Sequence, residues 1–136
     1  MKVCLDTNVL VAALATRGLC ADVLRTVLAE HELVVGEVML AELRRVLTTK
    51  LKVPADRLAA IEAIFAPFSV LPKPQTPSAL PVRDPSDRWI LATAVAGDAE
   101  VLVTGDADLL AIAAEAPLPI LAPRAFWELL RRPPAG

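Results

Sequence analysis

Asp6-Thr7-Asn8, Glu42, Asp84-Pro85-Ser86-Asp87 and Thr104-Gly105-Asp106-Ala107-Asp108 form four short acidic islands in a chain that is 55% hydrophobic. Carboxylates buried together are costly unless a cation or a shared proton offsets their repulsion. For two unit charges ~4 Å apart that repulsion is roughly 4 kcal/mol at an effective dielectric of about 20. A fold that gathers the islands would therefore build one metal site. An all-oxygen donor set selects a hard cation such as Mg2+ or Mn2+, because zinc and copper sites favour imidazole or thiolate. The chemistry this allows is metal-assisted hydrolysis, with a water made acidic and the charge on a phosphodiester neutralised.

Other chemistries lack their residues. His31 is the only histidine, which excludes an ordinary Ser-His-Asp or Cys-His triad. Five scattered glycines form neither a P-loop nor a dinucleotide fingerprint. Cys4 and Cys20 are too few for a disulfide framework or a zinc knuckle and read as packing residues.

Each acidic residue also has a plainer role to weigh. Asp6 could cap a helix starting at Thr7, a contribution of about 1 kcal/mol. Asp84 fits an N-cap, with Pro85 in the first helical turn. Asp87 does not fit capping alone, since it precedes Ile90, Leu91 and Ala94 by three, four and seven residues and so shares their inward stripe. Glu42 lies mid-helix on the apolar side, near Val38, Met39 and Val46. Its plainer reading is an ion pair with Arg45, worth only ~0.2–0.5 kcal/mol in an isolated helix. Of Asp106 and Asp108 one can serve as a cap where Gly105 lets the chain bend; Asp106, nearer the strand end, is the one expected in the site, and Asp108 is open.

The elements that must position these residues alternate. Lys2 to Asp6, Leu33 to Gly36, Phe68 to Leu71, Val101 to Thr104 and Leu118 to Leu121 read as strands. Helices are expected over about Thr7 to Ala15, Ala21 to His31, Val38 to Lys50, Pro54 to Ala66, Pro85 to Ala96, Ala107 to Glu115 and Arg124 to Arg131. Strands with helical crossovers argue for a parallel sheet covered on both faces, with ligands outside the carboxyl ends of the strands. The 136 residues and net charge of -2 describe one soluble domain over residues 1–132, with 133–136 as a frayed tail. No run reaches the eighteen apolar residues of a membrane span, and the start is unlike a signal peptide, so a cytoplasmic location is expected.

Four stretches carry a family resemblance: Leu5-Asp6-Thr7-Asn8-Val9-Leu10; Glu37-Val38-Met39-Leu40-Ala41-Glu42-Leu43; Arg83-Asp84-Pro85-Ser86-Asp87-Arg88-Trp89-Ile90-Leu91-Ala92; and Leu102-Val103-Thr104-Gly105-Asp106. In this order and spacing the chain resembles the PIN domain family, above all its compact bacterial members that serve as VapC-type toxins of toxin-antitoxin pairs. The resemblance implies a three-layer α/β/α sandwich around a mainly parallel sheet of about five strands. It also implies a Mg2+- or Mn2+-dependent endoribonuclease leaving a 5′-phosphate and a 3′-hydroxyl. By position the family's acidic ligands and catalytic residues fall on Asp6, Glu42, Asp87 and Asp106, with Thr7, Asn8, Asp84 and Asp108 in support. Such relatives usually form homodimers silenced by a small antitoxin. Where many of them carry Ser or Thr at the strand end before the Glu helix, this chain has Gly36.

Affinity for RNA rests largely on neutralised phosphates, so an acidic chain needs a local basic patch. Arg44, Arg83 and Arg88, with Arg17 and Arg45, lie near the islands in sequence and could contact substrate. With no tyrosine, two tryptophans and three phenylalanines, extensive base stacking is not expected. Two other functions fit less of the pattern. A haloacid-dehalogenase-like phosphatase would want a second Asp where Asn8 stands and a lysine beyond Lys73, which the chain lacks. A non-catalytic PIN-like interaction module would use apolar helix faces and have no need of the acidic set.

Overall fold

The computed structural model describes residues 1–132; the expected tail, 133–136, lies outside the described residues. Among them, four strands, β1 (Lys2–Leu5), β2 (Glu32–Val34), β3 (Val101–Val103) and β4 (Ile120–Leu121), make one sheet in the order β2-β1-β3-β4. All three pairings are parallel, with Cys4 opposite both Val34 and Leu102. The central strands read as unbroken apolar runs because both faces are covered: Val3, Cys4, Leu102 and Val103 have no accessible surface. Burial pushes the Cys4 thiol well above its ordinary range, so it is an inert packing group.

Helices α1 (Thr7–Ala15), α2 (Leu19–Glu30), α3 (Glu37–Arg45), α4 (Ala55–Phe65), α5 (Pro85–Ala96), α6 (Ala107–Ala111) and α7 (Pro123–Leu130) flank the sheet. No single helix among the described residues is long and apolar enough to cross a membrane. Three of them start on an aspartate: Asp6, Asp84 and Asp106 are the N-caps of α1, α5 and α6. The chain leaves β1 toward β2 on one side and later returns to β3 on the other. Strand order therefore reverses between β1 and β3, the position where open α/β sheets bind ligands.

Two expected strands are shorter than their patterns suggest, and two expected helices are interrupted. Phe68 to Leu71 contributes one parallel bridge, Gly36 to Leu71, outside β2. Leu71 accepts from Glu37 N–H at 2.9 Å and donates to Val35 at 3.0 Å, but Pro72 and Pro74 beyond it have no N–H to extend a ladder. Pro117 and Pro119 confine the last strand to two residues in the same way. The long helix expected from Val38 to Lys50 is α3 followed by a π-helical turn, Val46–Lys50. Thr48 and Thr49 hydroxyls donate back to the carbonyls of Arg44 and Arg45 there, a competition with the regular helical ladder. Likewise α6 ends at Ala111, with a 3-10 turn at Ala113–Glu115.

Candidate metal centre

Asp6 follows β1 directly, and its N–H donates to Val103 of β3 at 2.9 Å, fixing it at the sheet's carboxyl edge. Asp106 comes three residues after β3 and caps α6 by accepting Asp108 N–H on Oδ1 at 2.8 Å. Asp87 lies in the first turn of α5, where Ile90, Leu91 and Ala94 on the same stripe are buried. Burial of such side chains stabilises by ~1.5–3 kcal/mol each, which holds Asp87 inward despite the cost of covering its charge. One carboxylate oxygen from each of Asp6, Asp87 and Asp106 lies within 4.8 Å of the other two.

Hydrogen bonds orient this set. Asp6 Oδ1 accepts Thr7 N–H at 2.7 Å and Oδ2 accepts the Thr104 hydroxyl at 2.7 Å. The Thr104 oxygen in turn accepts Asp106 N–H at 3.0 Å, so one buried hydroxyl ties two of the acidic residues together. Asp6 is 4% exposed, and burial, opposed by those two hydrogen bonds and reinforced by the charges of Glu42 and Asp106, pushes its pKa up to about 6. Asp87 is held well above the usual carboxylate range by burial first, then by its hydrogen bond with Asp106 and the charges of Asp106, Asp6 and Asp84. Two buried oxygens have no partner: Asp87 Oδ2 and Thr7 Oγ1. Orphaned buried acceptors beside mutually repelling carboxylates are what a hard cation would satisfy, so the residues present fit a magnesium or manganese ion.

The other expected site residues divide. Glu42, half-buried on α3, stands outside the tight trio but near enough for its charge to raise Asp6. Thr7 is buried at the site, whereas Asn8 is exposed on the outer side of α1. Asp84 is exposed and accepts from both N–H and hydroxyl of Ser86 at 3.0 and 2.7 Å, which lowers its pKa. It acts as a cap. Asp108 is half-buried and supplies only its N–H to Asp106. Among the arginines, Arg44 pairs with Glu62 at the rim of an apolar cleft of about 340 Å3 between α3 and α4. Arg83 is exposed, and Arg88 donates to the Val82 carbonyl at 3.3 Å. His31 caps the end of α2 and lines a separate recess with Met1 and Trp127.

Sequence reasoning assigned no role to Thr104. Its signal was a hydroxyl at the strand end two residues before Asp106, readable only once β1 and β3 are known to be neighbours. Gly36 also finds its explanation. A Cβ there would lie 2.5 Å from Thr93 Cγ2 of α5, so the methyl of Thr93 fills the space a Ser or Thr would take, while its hydroxyl turns to the Trp89 carbonyl at 2.9 Å.

The sequence profile of the PIN domain matches residues 2–108. The chain belongs to the PIN domain family. PIN domains are generally nucleases and generally bind divalent metals, and the trio of aspartates lies within the matched span. Among curated proteins no sequence match is found. The fold is similar to that in the crystal structure of VapBC2 from Rickettsia felis bound to a DNA fragment from their promoter, with TM-score 0.62 and 19% identity over 90% of this chain and 98% of that one. FitAcB from Neisseria gonorrhoeae is also similar, with TM-score 0.59 and 18% identity over the same shares.

Proposed function

We propose that this PIN domain is a Mg2+- or Mn2+-dependent endoribonuclease acting in the cytoplasm as the toxin of a toxin-antitoxin pair. The observation that carries the reading is the convergence of Asp6, Asp87 and Asp106 at the β1/β3 switch point with an oxygen of Asp87 left unpartnered. In this reading the three aspartates would hold the ion and Glu42 would add negative charge from α3. A divalent ion bound there supplies positive charge against a phosphodiester and lowers the pKa of a nearby water. The Thr104 hydroxyl and the Thr7 N–H fix the orientation of Asp6. The toxin assignment is supported by the similar folds of two proteins whose structures are of a VapBC and a FitAB complex, and it brings an antitoxin and a homodimer with it.

A phosphatase in which Asp6 attacks phosphorus fits the geometry poorly. Both Asp6 oxygens already accept hydrogen bonds in a buried setting, which blunts a nucleophile. The test is cleavage of single-stranded and structured RNA by protein freed of any inhibitor, with Mg2+, Mn2+ or EDTA, beside Asp6→Asn and Asp87→Asn. Metal-dependent cleavage lost in both variants is the expected result. Equal cleavage by all three proteins would assign the activity to a contaminant.

A further inference from the structure

Helix α3 turns a second stripe, Val38, Ala41, Glu42 and Arg45, toward α5, and between them runs a groove of about 530 Å3. Ser86 and Trp89, one turn apart on α5, form its far wall, and Lys73 closes one end. The two helices run past each other so that Gly36 meets Thr93, which sets Lys73 and Trp89 beside the start of α3 and Glu42 further along. Ser86 adjoins Asp87 in the chain and the charge of Glu42 reaches Asp6, so the Glu42–Ser86 stretch of the groove lies beside the carboxylate trio. Val38 to Arg45 spans about 10 Å at ~1.5 Å per residue. The volume lies within the ~300–1,000 Å3 of ordinary small-ligand clefts, with room for a nucleotide.

Of the two cations lining the groove, Lys73 has a defined contact. Lys73 Nζ lies 4.3 Å from the centroid of the Trp89 ring, and the Lys73 backbone N–H donates to Glu37 Oε2 at 3.3 Å. With the Leu71 carbonyl bonded to Glu37 N–H, the proline-rich strap 72–84 between Leu71 and α5 is pinned where Lys73 departs. Arg45, exposed at the other end, forms no ion pair within 4 Å among the described residues. Half-buried Trp89 thus offers an aromatic face in a groove that also holds two long-stemmed cations. Aromatic faces stack unpaired bases of any sequence, and flanking lysines and arginines track the phosphates.

We propose that this groove holds a nucleotide adjoining the scissile phosphate of single-stranded RNA, its base stacked on Trp89 and its phosphates met by Lys73 and Arg45. The proposal rests on the ribonuclease reading and adds the strand state of the substrate and the residues that grip it. The Lys73 ammonium occupies the ring in the free protein and moves on its flexible stem to a phosphate as the base enters.

Binding is measured in cleavage-impaired Asp6→Asn protein by anisotropy of a labelled single-stranded RNA across a range of salt. Trp89→Leu is expected to weaken binding roughly ten-fold with little change in salt dependence, and Trp89→Phe to recover most of the loss. Lys73→Ala, on an exposed residue that the fold does not need, is expected to flatten the slope of log affinity against log salt by about 0.7. Blunt duplex RNA is expected to be indifferent to both changes. Unchanged single-strand binding in Trp89→Leu and Lys73→Ala overturns the proposal; if the otherwise wild-type protein still cleaves with metal, the ribonuclease reading survives that failure. Groove-dependent binding by a protein that never cleaves upholds the groove and overturns the nuclease instead.

Discussion

The start of α5 and the rim between β1 and β3 place the same residue type at the same kind of junction, under opposite conditions. Asp84 faces water, accepts two hydrogen bonds from Ser86 and keeps its charge more readily than a free aspartate. Asp6 accepts two hydrogen bonds as well, yet burial among other carboxylates makes its charge harder to keep. Capping satisfies the helix in both places. What separates a cap from a metal ligand is therefore whether the carboxylate is also desolvated beside its own kind, and not whether it caps.

That contrast is sharpest when one member of the trio is neutralised. Asp87→Asn should reduce metal-dependent RNA cleavage by more than the ~10–100-fold typical of losing a group that only orients a metal ligand, measured as kcat/KM with Mg2+. Thr104→Val, which removes the hydroxyl that aims Asp6, should fall within that ~10–100-fold range with the fold intact.

Stability should change with pH in the opposite sense from an ordinary ion-paired aspartate. Asp6 has a folded pKa of about 6, against ~3.9 when unfolded. Between these values the folded state binds more protons, so metal-free protein is most stable below about pH 4 in this respect and loses stability as pH rises toward 6. At ~1.36 kcal/mol per pH unit the loss from Asp6 approaches ~3 kcal/mol, and Asp87 extends it in the same direction to higher pH. Urea unfolding in EDTA at pH 4.5 and 6.5 measures it, and added Mn2+ should restore stability at the higher pH.

Smaller effects mark the packing and the cap. Gly36→Ser drives a side chain into the Thr93 methyl and should cost about 1–3 kcal/mol, relieved in part by Thr93→Ala. Asp84→Ala should cost about 1 kcal/mol of stability and leave metal affinity within a factor of two or three, the outcome that separates a cap from a ligand.

Much of this was legible in the chain. Val3–Leu5 and Val101–Val103 are apolar without alternation, which is the mark of a strand covered on both faces, and Asp6, Asp84 and Asp106 punctuate the helix starts that follow them. The stripe from Asp87 to Ala94 gave the inward direction of its carboxylate. The parts that escaped depend on neighbours distant in sequence. Thr104 became a partner of Asp6 only through the β1/β3 pairing. Phe68 to Leu71 had strand composition but met prolines that end a ladder. Glu42 reads as lying on the apolar side of α3, and its half-buried place outside the trio is a matter of how α3 sits on the sheet. Lys73 and Trp89 are sixteen positions apart, joined by a strap whose path no local pattern records.

The central claim is that the three aspartates share a divalent ion in place of a retained proton. Calorimetric titration of Mn2+ into the metal-free protein in buffers of different ionisation enthalpy tests it most directly. Wild type should bind with measurable proton release near pH 6.5, and Asp87→Asn should bind far more weakly and release less. Equal affinity and equal proton release in the two proteins would contradict the account.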